Sequence, residues 1–490
     1  MLRSFQGVRR IGVAKTARLE HIDRIQVILT SRGRSLAVVM VADVIPGLNR
    51  FLRILGVTEA SRVMISRLIA GFLLHRGRMS CLQTAGAIRS DVRHRAQVGR
   101  FLGRKRLRTD KLLDALRGEV LRMVRRTGLY VFVIDATLCS QQGTQTANTF
   151  QTGNRQRRPR KGRRHGQNKH ARRSVHSFTM ALLLTPDGQR LPFQKPYKTR
   201  ETCAREQCRH FTSAESAAVL IRELQVPAGA RVVVLGDTAY DSVDVQAACD
   251  ERGFTWIVPC NSERVLSGPK PRPKVRSLIQ ELSSVSLTPI PLVAGQGPYA
   301  RYERKSASRT GRKRRTRTFY VHEERRTVQS VGAVRLVFST TQAQLRSATP
   351  DTVKILMTND QTLPLKDVVA LYTLRWQIEQ FFKELKSTLG FHQYRFQNFE
   401  AVISWVDLAL IAFLYLEWYR ARQLTRRAPS KREQTWWRCQ RTHGLCQAVR
   451  LASEQAELKY LVDRLKTPGG TQKLQRTLRN SFPKEYRATA

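Results

Sequence analysis

Acidic side chains are scarce in this chain: 37 Asp and Glu stand against 87 Lys and Arg among 490 residues, a formal net charge of +50. The resulting pI near 11.3 implies a polyanionic partner, with DNA, RNA and an anionic membrane surface as the classes to separate. Clean apolar runs are also lacking. The longest, Leu36–Val44 and Ala401–Trp418, are short or broken by Asp43, Ser404 and Asp407, whereas a membrane span needs about 20 apolar residues. No membrane partner is therefore expected. The eight cysteines follow no regular spacing, which suits reduced thiols in a cytoplasm better than a disulfide framework. Only Cys203, Cys208 and His210 cluster, and no fourth zinc ligand stands at finger spacing. Internal repeats are absent. Hydrophobic residues are not lacking at 41%, so collagen-like and globally disordered classes are excluded and about two to four domains can be filled.

The pattern changes along the chain. Residues 1–40 read as a basic arm, with Arg3, Arg9, Arg10, Lys15 and Arg18 ahead of the first acid, Glu20; the arm is either disordered, a mimic of a targeting sequence, or sequence ahead of the true start. Residues 41–128 carry helical spacing, as in Leu52, Ile54, Leu55, Val63, Ile65, Ile69, Phe72 and Leu73, and predict a helical DNA-binding domain. Within it Ser80–Ile88 and His94–Leu102 form a pair of short helices near Arg93, Arg95, Arg100, Arg104, Lys105 and Arg106, suited either to a DNA groove or to plain packing.

From Leu129 the period becomes that of strands. Tyr130–Ile134 ends in Asp135, Phe178–Thr185 and Gln189–Phe193 flank a Pro186-Asp187-Gly188 turn, and Arg231–Gly236 ends in Asp237. With helices at Ser213–Leu224 and Ser242–Glu251, the latter capped by Asp241, and a strand at Phe254–Val258, residues 129–261 predict the first part of an α/β core. Residues 262–348 read as a β-rich basic insertion, 349–424 as the second part of the core, and 425–490 as a C-terminal helical region with a basic tail. Two segments are too basic to fold without a partner. Arg155–Arg173, with His165 and His170, includes Arg163 and Arg164; Arg301–Arg317 includes Arg312, Lys313, Arg314 and Arg315.

Leu365–Leu389 reads as one long helix. At about 100° per residue, Tyr372, Arg375, Glu379 and Lys386 share a stripe about 60° wide at the edge of the apolar face, while Glu384 points elsewhere. That stripe is open to a plain reading, an amphipathic helix with an i, i+4 ion pair between Arg375 and Glu379. Two further carboxylates, Asp135 and Asp237, each close a predicted strand of the same core. Three converging carboxylates repel unless a cation sits among them, and all-oxygen ligation suits Mg²⁺ or Mn²⁺. Two such ions can hold the attacking and leaving oxygens of a phosphoryl transfer, with Tyr372, Arg375 and Lys386 placed to contact phosphates.

The ungapped spacing Tyr372-x2-Arg375-x3-Glu379-x6-Lys386, with Arg375-Trp-Gln-Ile-Glu379 inside it, resembles the YREK signature of DDE transposases of insertion sequences. Asp135 in its hydrophobic strand, Asp237-Thr-Ala-Tyr240 and Thr358-Asn359-Asp360 are similar to other motifs of that family. The resemblance runs from about Leu129 to Glu417. It implies an RNase H-like α/β catalytic core with a β-rich insertion, flanked by an all-helical N-terminal domain and C-terminal helices. The separation of 142 from Asp237 to Glu379, where one helix and strand need about 40 to 50, leaves room for that insertion. It further implies two Mg²⁺ (or Mn²⁺) ions on Asp135, Asp237 and Glu379, and cut-and-paste transposition through hairpin ends. Its partners would be double-stranded DNA, both terminal inverted repeats and target, and a second copy in a synaptic homodimer. The setting would be the bacterial cytoplasm and nucleoid. An aromatic from the set Tyr299, Tyr302, Phe319, Tyr320, Trp256 and Trp376 would stack on an extruded base. Two other functions stay open: a transposase-derived DNA-binding protein without cleavage, and an RNase H-like nuclease of repair.

Counterion release makes one expectation measurable. DNA affinity will fall steeply and linearly on a log–log plot against salt; titration by fluorescence anisotropy giving a salt-independent Kd would remove the role assigned to the two Arg-rich segments.

Overall fold

The computed structural model of the chain describes residues 45–54, 56–75, 95–104, 107–141, 146–152, 173–293, 316–343, 351–425 and 430–466, with 349, 468, 469 and 472. The run Leu129–Ile134 has no polar face and becomes the first half of β1 (Gly128–Ser140), with Tyr130–Ile134 fully buried. A strand covered on both faces belongs at the centre of a sheet. It pairs antiparallel with β3 (Arg173–Leu184), whose other neighbours are β2 (Phe150–Thr152) and β4 (Arg190–Pro196). On its other side β1 runs parallel to β5 (Ala230–Leu235), and β5 parallel to β6 (Thr255–Pro259). The predicted hairpin at Pro186-Asp187-Gly188 is present, with Leu184 paired to Arg190 and Gly188 at φ 93°.

The insertion predicted over 262–348 takes an unexpected place. Its described strands β7 (Thr288–Val293), β8 (Thr316–Val328) and β9 (Gly332–Thr340) do not stand apart; β9 pairs antiparallel with β10 (Lys354–Thr358), which pairs with β6. The result is a ten-stranded sheet in the order β2-β3-β1-β5-β6-β10-β9-β8-β7, with β4 paired to β3. The family-like triplet Thr358-Asn359-Asp360 closes this join. Asn359 accepts from the Trp256 backbone N–H at 3.0 Å and donates to Asp250 and the Phe254 carbonyl at 2.8 and 3.0 Å. Asp360 accepts from the backbone N–H groups of Thr362 and Leu363.

The described helices are α1 (Leu48–Leu52), α2 (Glu59–Leu74), α3 (Arg95–Leu102), α4 (Thr109–Leu121), α5 (Arg200–Glu206), α6 (Ser213–Glu223), α7 (Val243–Glu251), α8 (Val275–Glu281), α9 (Leu365–Thr373), α10 (Trp376–Glu384), α11 (Phe399–Thr425), α12 (Lys431–Cys439) and α13 (Thr442–Leu465). The predicted N-cap of α7 is corrected: Ser242 caps it, while Asp241 accepts from Arg264 at 2.7 Å and from the Asn261 N–H at 2.9 Å. Asp241 thus ties the end of the second acidic motif to the loop after β6. The first helix of the pair predicted near residue 80 lies outside the described residues, as does the arm 1–40.

Helix α11 spans 27 residues and is apolar all round because it is packed all round. By length and composition it could cross a membrane, yet 89% of its most apolar window is buried inside the fold. Helices α2, α3, α4 and α13 and strand β4 pack on it, with ring contacts Phe72–Trp405 at 4.7 Å and Phe51–Tyr415 at 5.7 Å. The N-terminal helices and the sheet therefore share one hydrophobic core. Asp407, which breaks the apolar run in sequence, is buried on α11 and accepts from Thr109 Oγ1 at 2.6 Å and Gln194 Nε2 at 2.8 Å.

Burial pushes the Asp407 carboxyl up to about 6, against the pull of its two hydrogen-bond donors. The folded state thus holds the proton more tightly than the unfolded chain, whose aspartates titrate near about 3.9. Stability from this group is present below about pH 4 and is lost as pH rises through about 6. Urea unfolding across that window will show the wild type losing up to about 3 kcal/mol relative to Asp407→Asn; parallel curves for the two proteins would contradict it.

Candidate active site

The pairing of β1 with β5 decides where the first two acids meet. Val133 faces Leu235 in the last pair of the parallel ladder, and Asp135, still within β1, and Asp237, in the turn just past the end of β5, each follow two positions later. Asp135 Oδ1 accepts from the Ala136 N–H at 2.7 Å. Asp237 caps the short turn Thr238–Tyr240, accepting from the Ala239 N–H at 2.9 Å. Gly236 is required there: a Cβ at that position would lie 2.8 Å from Tyr240 Cβ. The buried Tyr240 ring folds back beneath the acids, and burial followed by the charges of Asp135 and Asp237 raises its phenol far above the ordinary range.

The predicted single helix is broken. It consists of α9 and α10 joined at Leu374–Arg375, where Leu374, Arg375, Gln377 and Ile378 donate to carbonyls three residues back, followed by a π-helical turn at Leu385–Leu389. Tightened and widened helical turns of this kind frequently mark functional sites. The stripe survives both irregularities because the dihedrals at the junction stay helical. Arg375 Nη2 donates to Glu379 Oε1 at 2.5 Å, and its Nη1 lies 3.8 Å from Asp135 Oδ2. Glu379, on the first turn of α10, is thereby joined to β1. Lys386 Nζ, from the π-helical turn, donates to the Leu138 carbonyl of β1 at 3.3 Å. Among the described residues the buried Tyr372 hydroxyl, close to Arg375, has no hydrogen-bond partner.

Electrostatics register the same convergence. Burial first, then the charges of Asp237 and Glu379, push the Asp135 carboxyl up to about 6, while the Ala136 N–H and Arg375 pull it down. Among the described residues no three His, Cys, Asp or Glu side chains are gathered closely enough to form a ready-made metal cage; Arg375 stands between Asp135 and Glu379 instead.

The strand ends that flank the basic segments lie at this same end of the sheet. Thr152 pairs with Arg173 near Ser140, at the end of β1 beyond Asp135. Val293 pairs with Thr316 at the corresponding end of β7 and β8. Arg163, Arg164, Arg312, Lys313, Arg314, Arg315, Tyr299 and Tyr302 themselves lie outside the described residues. Of the other aromatic candidates, Trp256 is removed from the set: it is core, 1% exposed, its indole N–H donating to Asp250 at 3.1 Å. Phe319 lies under the Arg317 guanidinium, 4.9 Å from ring centre, and Trp376 is exposed beside Arg375. Cys203 is buried against the Lys198 and Arg209 carbonyls, and His210 faces Tyr197; Cys203, Cys208 and His210 are not gathered into a three-ligand group.

A family model described as a transposase DDE domain matches residues 126–415, the span that holds the sheet, all three acids and most of α11. The chain belongs to the DDE transposase family. No curated protein matches it. Membership implies a transposase function on DNA, and the family works with divalent metal ions.

Two glutamates on α10 of this transposase have opposite surroundings. Glu379 is part-exposed at the acids, whereas Glu384 accepts from Arg190 at 2.7 Å and from Thr442 at 2.6 Å on the far side. Burial opposes that charge, but Arg190 and Thr442 hold the Glu384 carboxyl below its usual range. Urea unfolding will show Glu384→Gln destabilising the fold by about 3–5 kcal/mol, the usual result of orphaning a buried partner. Glu379→Gln will cost at most about 1 kcal/mol; equal losses would mean that the two side chains share one environment.

Proposed function

We propose that this chain is an active cut-and-paste transposase in which Asp135, Asp237 and Glu379 hold two Mg²⁺ (or Mn²⁺) ions. The observation that carries the reading is that the parallel pairing of β1 with β5 brings Asp135 of β1 near Asp237 in the turn after β5, with Glu379 of α10 joined to Asp135 through Arg375. The donor set suits the metal. It is all oxygen, as hard cations require, and the upward shift of Asp135, caused first by burial and then by the charges of Asp237 and Glu379, is one that a cation would relieve. When bound, such ions supply charge stabilisation to the attacking and leaving oxygens of a phosphoryl transfer.

The chain's own groups do the rest. Arg375 holds Asp135 and Glu379 in register and offers its remaining N–H donors to a phosphate, in the planar fork that suits phosphate oxygens. Tyr372 has an unused hydroxyl, and Lys386 a part-exposed ammonium, on the same stripe. In the proposed reaction water opens one strand at the element's end, the freed 3′-OH attacks the opposite strand to give a hairpin, and reopening precedes attack on target DNA. Arg312, Lys313, Arg314, Arg315, Arg163 and Arg164 would follow the DNA backbone by charge, and two copies would bring two ends together. The helical segment 41–128 would help to recognise those ends.

A supercoiled plasmid bearing the element's terminal inverted repeats, incubated with the protein and Mg²⁺, tests this directly. Excision with hairpin ends is expected, abolished by EDTA and by Asp135→Asn, Asp237→Asn or Glu379→Gln. Binding without cleavage would favour a DNA-binding derivative, and nicking unrelated to the repeats a nuclease; either result would displace the proposal.

A further inference from the structure

Lys354 carries an inference that rests on the transposase reading and extends it. It is the first residue of β10 and pairs with Ser339 of β9, which puts it at the end of the sheet where the acids stand. Its Nζ lies 4.6 Å from the centre of the Tyr372 ring. Among the described residues it makes no ion pair, although Asp237 and Glu379 are near enough to act on it electrostatically, as is Arg375. Lys354 also lines a surface cleft of about 570 Å³ together with Thr238, Asn261, Arg317, Phe319 and Ser339.

The lining is mostly polar and carries a small surplus of positive charge. Two cations, Lys354 and Arg317, stand with one carboxylate, Asp351, six Ser and Thr residues and the Asn261 amide, and the Arg317 guanidinium is propped against the Phe319 ring. Thr238 follows Asp237 directly, so one wall of the cleft is continuous with the carboxylates. A strand passing over the acids therefore has a place for its next phosphates between β6, β10 and β8. Lysine acts there as a point charge that Tyr372 holds by cation–π contact.

We propose that Lys354, with Arg317 across the cleft, binds a backbone phosphate of the DNA engaged at the three carboxylates, making Lys354 a positioning residue for the strand being cut or joined. The phosphate could belong to the transposon end or to target DNA, and the two are separable by substrate. Lys354→Met keeps the alkyl packing on Tyr372 and removes the charge; Lys354→Arg restores the charge.

The experiment compares wild type and both variants in cleavage of end DNA, in strand transfer of precleaved ends, and in DNA affinity across a salt series. Lys354→Met is expected to slow at least one reaction by about tenfold or more and to lower the salt slope by about one unit, with Lys354→Arg recovering both and thermal unfolding unchanged. Slowed cleavage assigns the phosphate to the transposon end; slowed strand transfer alone assigns it to the target. Wild-type rates and slope in Lys354→Met, or failure of Lys354→Arg to recover them in a protein that unfolds normally, would overturn the assignment. A wild-type chain that cuts no DNA would instead remove the underlying transposase reading.

Discussion

The buried guanidinium of Arg190 is the contact on which the arrangement of the site depends. It is 2% exposed in its side chain, lies over the Phe413 ring at 4.9 Å, and pairs with Glu417 at 2.9 Å and Glu384 at 2.7 Å. Arg420 completes the charge on Glu417, and Thr442 donates to Glu384. Four elements meet there: β4 of the sheet, α10 with the third acid, the central α11, and the start of α13. Charges so deep are tolerated only because every one is partnered, and removing one would strand the others. The consequence for function is orientation. With Glu384 anchored on one side of α10, Glu379 has no choice but to face β1.

The same sheet that receives this anchor collects the candidate site residues at one end. Parallel pairing of β1 with β5 brings Asp135 and Asp237 together, and the antiparallel β10 begins at that end, so its first residue, Lys354, arrives beside them. The strands that bracket the two arginine-rich segments open toward the same end. Among the described residues, Arg375, Lys386 and Lys354 set positive charge beside the acids. Such an arrangement draws in a polyanion yet keeps the centre suited to cations.

Much of this was legible in residue patterns for identifiable reasons. Asp135 and Asp237 could be found because each ends a β-branched run, and the Tyr372, Arg375, Glu379 and Lys386 stripe because helical spacing is strongly periodic. Glu384 was placed on the other face by the same arithmetic, and its pairing with Arg190 agrees. The break at Leu374–Arg375 was not readable, since no Pro or Gly marks it and the dihedrals barely change. Nor was the role of Asp241, which depends on Arg264, 23 positions away. Lys354 was missed because a lysine opening a short strand carries no periodic signal.

Local pattern by itself determined which segments are strands, most of the helices, and the surplus of positive charge that selects a polyanion. These follow from side-chain chemistry and near-neighbour spacing. The strand expected to close at Asp135 instead runs on to Ser140, because pairing with β3 continues that far. Tertiary structure alone decided that β7–β9 extend the core sheet, that the N-terminal helices and the sheet share α11, and that Arg190 and Lys354 flank α10 and the acids. Those outcomes rest on contacts between residues far apart in the chain, such as Arg190 with Glu417 and Lys354 with Tyr372. No local periodicity encodes them, because only packing around a common core brings such partners within reach.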